Sequence, residues 1–308
     1  MKISIVMATY NGEKYIHEQI QSIMKQSKLP DEIVVNDDCS KDNTIEIIRK
    51  YAKEYPLIDW KINVNELNLG YVKNFFNAIN RSSGDIIILS DQDDVWAENK
   101  ISIIHSFFES HPDMISLHMD YSVIDKDGNM IREHEIKYNS HLEKYSVCQF
   151  TRRLNYCGMS SAFRNTVKSY LNEIEVDKLP THDWTIHAIA VLKGGMYVSK
   201  DVVSYRRAHG DNVALNIEKK VRRMGIEQRL RVVKDYYDYY VLFGKIREIV
   251  MRSSDEIYIS RLIATQKRRI EYLNEKKLIA WLLEIRNINY FPSAKAYFCD
   301  MLYIAKIY

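Results

Sequence analysis

Proline and glycine are scarce in this chain of 308 residues, at 5 and 10, which excludes collagen-like repeats and Pro/Gly-rich disorder. Cysteine is scarce too. Cys39, Cys148, Cys157 and Cys299 form no C-x-x-C and no metal-like spacing, so four reduced thiols of a cytoplasmic chain are expected. No stretch reaches about 18 apolar residues, so no membrane-spanning helix is expected. The opening MKISIVMATYNG starts on a strand pattern, without an apolar segment before a small-residue cleavage site, and so predicts no secretory leader. Net charge is small as well. With 44 basic and 41 acidic residues the formal +3 gives no reason to expect a nucleic-acid partner, and no nucleic-acid-binding module accompanies the charges.

What the chain does have is 46% hydrophobic residues, enough to bury a large core, and a charge asymmetry. Residues 214–308 carry 19 Lys+Arg against 11 Asp+Glu, a net +8, which leaves −5 on residues 1–213. That division predicts an acidic body able to hold cations and a basic tail able to meet an anionic surface, with the boundary at 213/214. In the body, strand and helix patterns alternate. The apolar run Ile3–Ala8 precedes a helical face of Tyr15, Ile16, Ile20, Ile23 and Met24, and Glu32–Asn36 precedes Ile45, Ile48, Ala52 and Tyr55, with Asp42 as a cap. Trp60–Val64 then precedes a helix at Tyr71–Asn80, and the fully apolar Ile86–Leu89 has the character of a central parallel strand. These units imply an α/β sandwich. Met114–Asp120, a turn at Lys126–Asn129, a helix from Thr181 and a strand at Met196–Tyr205 make the sheet mixed. Beyond Val213 the pattern is helical, with ten of the 22 tyrosines and the clusters 219–223 and 267–269 of Lys and Arg.

Ligands of open α/β sheets sit at the carboxyl ends of the strands, so the residues just after each apolar run belong together. They are Thr9, Tyr10 and Asn11; then Asn36, Asp37, Asp38, Cys39 and Ser40; then Ser90, Asp91, Gln92, Asp93 and Asp94. Three carboxylates within the four residues 91–94 repel one another unless a cation or solvent stabilises them. Hard oxygen ligands suit Mg²⁺ or Mn²⁺, which would also meet the phosphates of a nucleotide. Asp37 and Asp38 either read a base or ribose or belong to a capped turn. Trp96 is a pocket wall or a core anchor.

Taken together, MATYNG, VVNDDCSKDNT and ILSDQDDVW resemble family 2 glycosyltransferases over residues 1 to about 213. SDQDDVW, His182-Asp183-Trp184 and Tyr205–Val213 look most like a rhamnosyltransferase-like branch that builds bacterial surface polysaccharides. The resemblance implies a GT-A type fold, a Rossmann-like mixed sheet flanked by helices, here followed by a helical C-terminal region. It also implies a nucleotide-diphosphate sugar donor (TDP- or UDP-linked) and inversion at the anomeric carbon. Residue by residue, Ala8, Tyr10, Asp37 and Asp38 would contact the nucleoside, Asp91 the ribose or metal region and Asp93 the metal. The family commonly has glycine where Cys39 stands, which leaves that turn's geometry open. Inversion needs a carboxylate near the acceptor hydroxyl, and Asp183 is the expected general base, with His182 tuning it or capping the helix. His209 would be a further metal ligand or diphosphate contact, and Arg206 or Arg207 would neutralise phosphate. The acceptor implied is a saccharide or polyprenyl-linked saccharide, which places the protein in the cytoplasm or peripherally on the inner face of the cell membrane. The Tyr-rich tail would serve membrane association or homo-oligomerisation. Two competing readings stand beside this one, a nucleotidyltransferase and a catalytically silent nucleotide-sugar-binding or scaffold protein. The first would favour a Gly-rich basic phosphate loop, in which MATYNGEKY is poor.

Overall fold

A strand whose side chains are apolar on both faces must be covered on both, and Ile86–Leu89 meets that condition. In the computed structural model it lies in the strand β4 (Ile86–Ser90), every residue of which is buried. The structure describes residues 1–136, 138, 140–175, 180–209, 226–250 and 255–305. β4 pairs in parallel with β1 (Ile3–Thr9), β1 with β2 (Glu32–Asp37), and β2 with β3 (Asp59–Val64). Helices α1 (Ile16–Met24), α2 (Thr44–Glu54) and α3 (Tyr71–Arg81) alternate with them. Ile5, Met7, Ile33 and Val35 pack with Ile20, Ile23 and Ile48 in one buried cluster, so the helical and strand periodicities meet in a single core. Gly84 lies where β4 begins because a Cβ there would fall 2.6 Å from the Ser4 backbone nitrogen.

From β3-β2-β1-β4 the sheet continues through β9 (Ser161–Arg164), β6 (Ser116–Ile124), β10 (Met196–Arg207) and β5 (Val95–Trp96), with β8 (Glu143–Lys144) also paired to β10. β9 is antiparallel to both β4 and β6, and β10 is parallel to β6. β5 is antiparallel to β10. The mixed sheet expected from the change of pattern after residue 110 is therefore present, and β1 to β4, β6 and β10 all end on the same edge. β6 runs on to Ile124, beyond the predicted end at Asp120, because β10 pairs with it as far as Arg207. The predicted turn at Lys126–Asn129 leads from β6 to β7 (Met130–Arg132), with Asp125 Oδ1 accepting from the amides of Asp127 (2.9 Å) and Asn129 (2.8 Å). Trp96 is buried and is a core anchor.

Contacts divide the chain into two units, one of residues 1–145 and 156–209, the other of 146–155 and 210–308. The 213/214 boundary read from charge, and the basic cluster 219–223, lie outside the described residues. The second unit is helical, with α5 (Val147–Thr151), α8 (Ile226–Val250), α9 (Glu256–Glu275), α10 (Leu278–Leu283) and α11 (Ala294–Ile304). Its centre is polar as well as apolar. Asp300 is fully buried and accepts from Arg229 Nε (2.9 Å), Arg269 Nε (2.9 Å) and Tyr272 OH (2.6 Å), beside Trp281, Phe291 and Tyr297. Arg268 pairs with Glu284 at 2.6 Å. Two of the three basic residues at 267–269 are thus held in ion pairs, which differs from an open basic face. Among the described residues no helix is long and apolar enough to cross a membrane.

Candidate active site

The carboxyl ends of β1, β2 and β4 lie side by side, as the register Met7↔Ser90 and Thr9↔Asp37 requires. The two carboxylates at the end of β2 are largely occupied by the fold. Asp37 accepts from Thr9 Oγ1 (2.7 Å), Ser40 Oγ (2.6 Å) and Ser40 N (2.8 Å). Asp38 accepts from the amides of Leu69 and Gly70, both at 2.8 Å, and from Asn65 Nδ2 at 2.9 Å, which fixes the approach to α3. Cys39 between them and Ser40 has φ +68°, the left-handed region that disfavours a Cβ, which settles the geometry of that turn. Asp42 Oδ1 accepts from Thr44 N (3.1 Å), the first residue of α2, but the predicted cap stands one residue too early: the N-cap is Asn43, whose side chain makes no capping bond. Tyr10 is exposed next to Ala8 and Thr9, and its amide and carbonyl are both held by the side chain of Gln92 (2.8 and 3.0 Å). Gln92, to which sequence reasoning gave no role, therefore ties the first edge to the third.

In the third edge, Asp94 is buried and its Oδ1 accepts from Arg207 N at 2.9 Å. Burial, and then the charges of Asp93 and Asp91, push its carboxyl well above the usual range. Asp91 is pushed up to about 7 by burial and by Asp93, with Asp183 adding to the rise and Arg206 and Lys100 opposing it. Asp93 Oδ2 lies 2.8 Å from His209 Nε2, so two of the residues expected to hold a metal are in contact. Behind the loop sits Lys100, fully buried, with Nζ 3.7 Å from the Trp96 ring centroid. It donates to Met159 O (2.6 Å) and Ser204 Oγ (2.9 Å). Burial pulls its ammonium well below the usual range, against the attraction of Asp94 and Asp91.

The two arginines at the end of β10 diverge. Arg206 lies over Tyr121, with its guanidinium carbon 6.0 Å from the ring centroid. Burial works against its charge, but Cys157, Tyr121, Asp94 and Asp91 outweigh that and raise it. Arg207 is spent inside the fold, donating to Asp93 O (3.0 Å), Lys126 O (3.2 Å) and Glu18 Oε2 (2.6 Å). Asp183 stands in the first turn of α7 (His182–Leu192), where Thr181 is the cap and accepts from Trp184 N at 3.4 Å. His182 does not cap. It stacks on Phe75 with centroids 3.9 Å apart, buried, neither ring nitrogen having a partner, and burial lowers its pKa. The Asp183 charge bears on Asp91, Cys157 and Tyr71, so the residues read as base, metal loop and phosphate contact share one neighbourhood.

Among the described residues no three His, Cys, Asp or Glu side chains stand together as a ready cage for an ion. The donor set nevertheless fits a divalent cation that takes further ligands from a nucleotide. Asp93 and His209 make a two-point contact, the charge of Asp93 raises both neighbouring carboxyls, and Mg²⁺ is commonly bound by one or two carboxylates plus substrate phosphates.

Comparison with known proteins makes the family definite. The model of glycosyl transferase family 2 matches residues 4–171, and the chain belongs to that family. An uncharacterized protein of Mycobacterium tuberculosis is 29% identical over 212 residues, 68% of this chain and 60% of that one. The chain thus spans less than two thirds of the length of the first curated relatives it matches. The dTDP-rhamnosyl transferase RfbG of Shigella flexneri is 41% identical over 99 residues, 31% of this chain and 34% of that protein. Among solved structures, Staphylococcus aureus TarS 1–349 in complex with UDP-GlcNAc superposes with a TM-score of 0.62 at 19% identity, covering 99% of this chain and 82% of that one. The fold is therefore the GT-A type that the motifs implied.

Proposed function

We propose that the protein is an inverting glycosyltransferase that moves a sugar, L-rhamnose as the first candidate, from a TDP- or UDP-linked donor to a saccharide or polyprenyl-linked saccharide. The observation that carries this reading is the acidic loop after β4, where Asp93 touches His209, Asp94 accepts from the amide of Arg207, and the charges of Asp183 and Arg206 both bear on Asp91. Ala8, Tyr10, Asp37 and Asp38 line the nucleoside side. Tyr10 offers an exposed ring there, while Asp37 and Asp38 act mainly by holding the loops that shape the pocket. Asp93, His209 and Asp91 would hold Mg²⁺ or Mn²⁺, which supplies positive charge for the departing diphosphate. Asp183 takes the proton of the acceptor hydroxyl as its oxygen attacks the anomeric carbon, the bond to the diphosphate oxygen breaks, and Arg206 steadies the phosphate. Residues 1–213 carry this chemistry. The tail, 214–308, serves membrane association on the cytoplasmic face or pairing with a second copy. The resemblance of the motifs, and RfbG among the relatives, support rhamnose and a role in surface polysaccharide synthesis.

The test is a donor panel of TDP-rhamnose, UDP-glucose, UDP-galactose, UDP-N-acetylglucosamine and GDP-mannose, scored for nucleoside diphosphate release with and without Mn²⁺. Metal-dependent release from one donor is the expected result. Silence from all five, together with no thermal shift by any nucleoside diphosphate, would overturn the reading in favour of a silent scaffold.

A further inference from the structure

The second unit shows water a surface that its own core does not need. Trp281 of α10 is buried, stacks on Tyr297 of α11 with centroids 4.8 Å apart and donates from Nε1 to Tyr297 O at 2.9 Å, so the two helices are fastened from within. Several of their apolar side chains point out. Leu278 and Leu282, and Ile279 and Leu283, form two pairs at i,i+4 spacing, with Ile279 75% and Leu283 58% exposed, and Ile285 follows. On α11, Phe298 and Leu302 repeat the spacing and are exposed as well. Scattered single apolar residues on a surface are ordinary, but this many on two joined helices are not.

The exposed charge around them is mostly positive. Residues 276–305 contain only two carboxylates, Glu284 and Asp300, and both are buried against arginines. Lys276, Arg286 and Lys295 are exposed, while Lys277, exposed as well, pairs with Glu275 just before this stretch. We propose that the α10–α11 face is a docking surface for an anionic lipid bilayer, the aliphatic side chains entering the interface and Lys276, Arg286 and Lys295 meeting the headgroups. This rests on the membrane side of the function proposed above and adds the surface that performs it. A second copy is the poorer occupant, because a two-fold contact through this face would set one basic rim against another. The face also differs from the basic segment read in the sequence at 267–269, where Arg268 and Arg269 are engaged with Glu284 and Asp300.

Flotation of the full chain with vesicles tests it. The chain is expected to rise with vesicles of phosphatidylcholine mixed with phosphatidylglycerol, to stay behind with phosphatidylcholine alone, and to detach as salt is raised. The double variant Ile279→Ser, Leu283→Ser is expected to bind about tenfold more weakly or worse, with an unchanged circular dichroism melt because both side chains are exposed; Lys276→Glu, Lys295→Glu should lose as much. No flotation of the wild type, equal binding to neutral vesicles, or variants that float as the wild type does would overturn the proposal. So would sedimentation showing an oligomer that the serine variant splits into monomers while vesicle binding persists. Nucleoside diphosphate release is measured in parallel without vesicles. A chain that floats as expected yet turns over no donor refutes the catalytic reading and leaves this surface standing.

Discussion

Replacing Arg207 by lysine keeps the charge and removes the fork. The guanidinium serves three separate parts of the chain, the carbonyl of Asp93 in the acidic loop, the carbonyl of Lys126 in the turn after β6, and Glu18 on α1. An ammonium can satisfy Glu18, which is half exposed and returns little in either case. It leaves the Asp93 carbonyl without its donor in a site where Arg207 itself is 1% exposed, whereas Lys126 lies in an exposed turn where water can replace the donor. At about 1–3 kcal/mol for a buried acceptor, Arg207→Lys should lose about 1–3 kcal/mol of stability. Urea unfolding followed by circular dichroism reads this directly. Calorimetry with donor and Mn²⁺ should show weakened binding as well, because Asp93 is no longer anchored at its carbonyl. A variant within about 1 kcal/mol of the wild type, with unaltered donor binding, would refute the idea that Arg207 positions the acidic loop.

Other expectations follow from single sites. Burial raises the Glu32 carboxyl, but hydrogen bonds from Lys61, Ser4 and Ser83 outweigh it and hold its pKa at about 2 in place of the ordinary 4.5. That contribution is complete above about pH 4.5 and disappears as pH falls towards about 2. It amounts to about 3 kcal/mol before allowance for the partly exposed Lys61, and Glu32→Gln should flatten acid unfolding over this window; an unaltered acid limb in the variant would contradict it. Cys39→Gly should stabilise the chain by about 1 kcal/mol by relieving the left-handed φ, measured as a higher melting temperature, and a lower one would contradict the strain argument. Asp93→Ala should abolish the metal-dependent part of donor binding in calorimetry, and binding that still responds to Mn²⁺ would show that Asp93 holds no ion.

The parts of the fold legible in the sequence were those whose signal is local. Ile86–Leu89 is apolar on both faces, as a covered parallel strand is, Ile3–Ala8 is nearly so, and the acidic run after Leu89 marked the site's edge. β9 was not legible. Ser161–Arg164 is four residues long and becomes a strand because β4 and β6 leave a gap that it fills from both sides. Residues 146–155 join the helical unit through contacts such as Tyr240 OH to Thr151 O (2.6 Å), across 89 residues of chain. Lys100 looks in sequence like any solvated lysine at a helix start, and its burial depends on Met159 and Ser204 far along the chain. The same distance hid the difference between Arg206 and Arg207. Adjacent side chains on a strand point to opposite faces, and nothing in YRR says which one turns towards the acids.

The most direct test of the central claim is transfer and donor binding measured side by side for Asp183→Asn. If Asp183 accepts the acceptor's proton, the variant should bind donor as the wild type does while turnover falls by about 10²–10⁴-fold. Near-wild-type turnover would show that the proton goes elsewhere and that the carboxylate at the head of α7 is not the base.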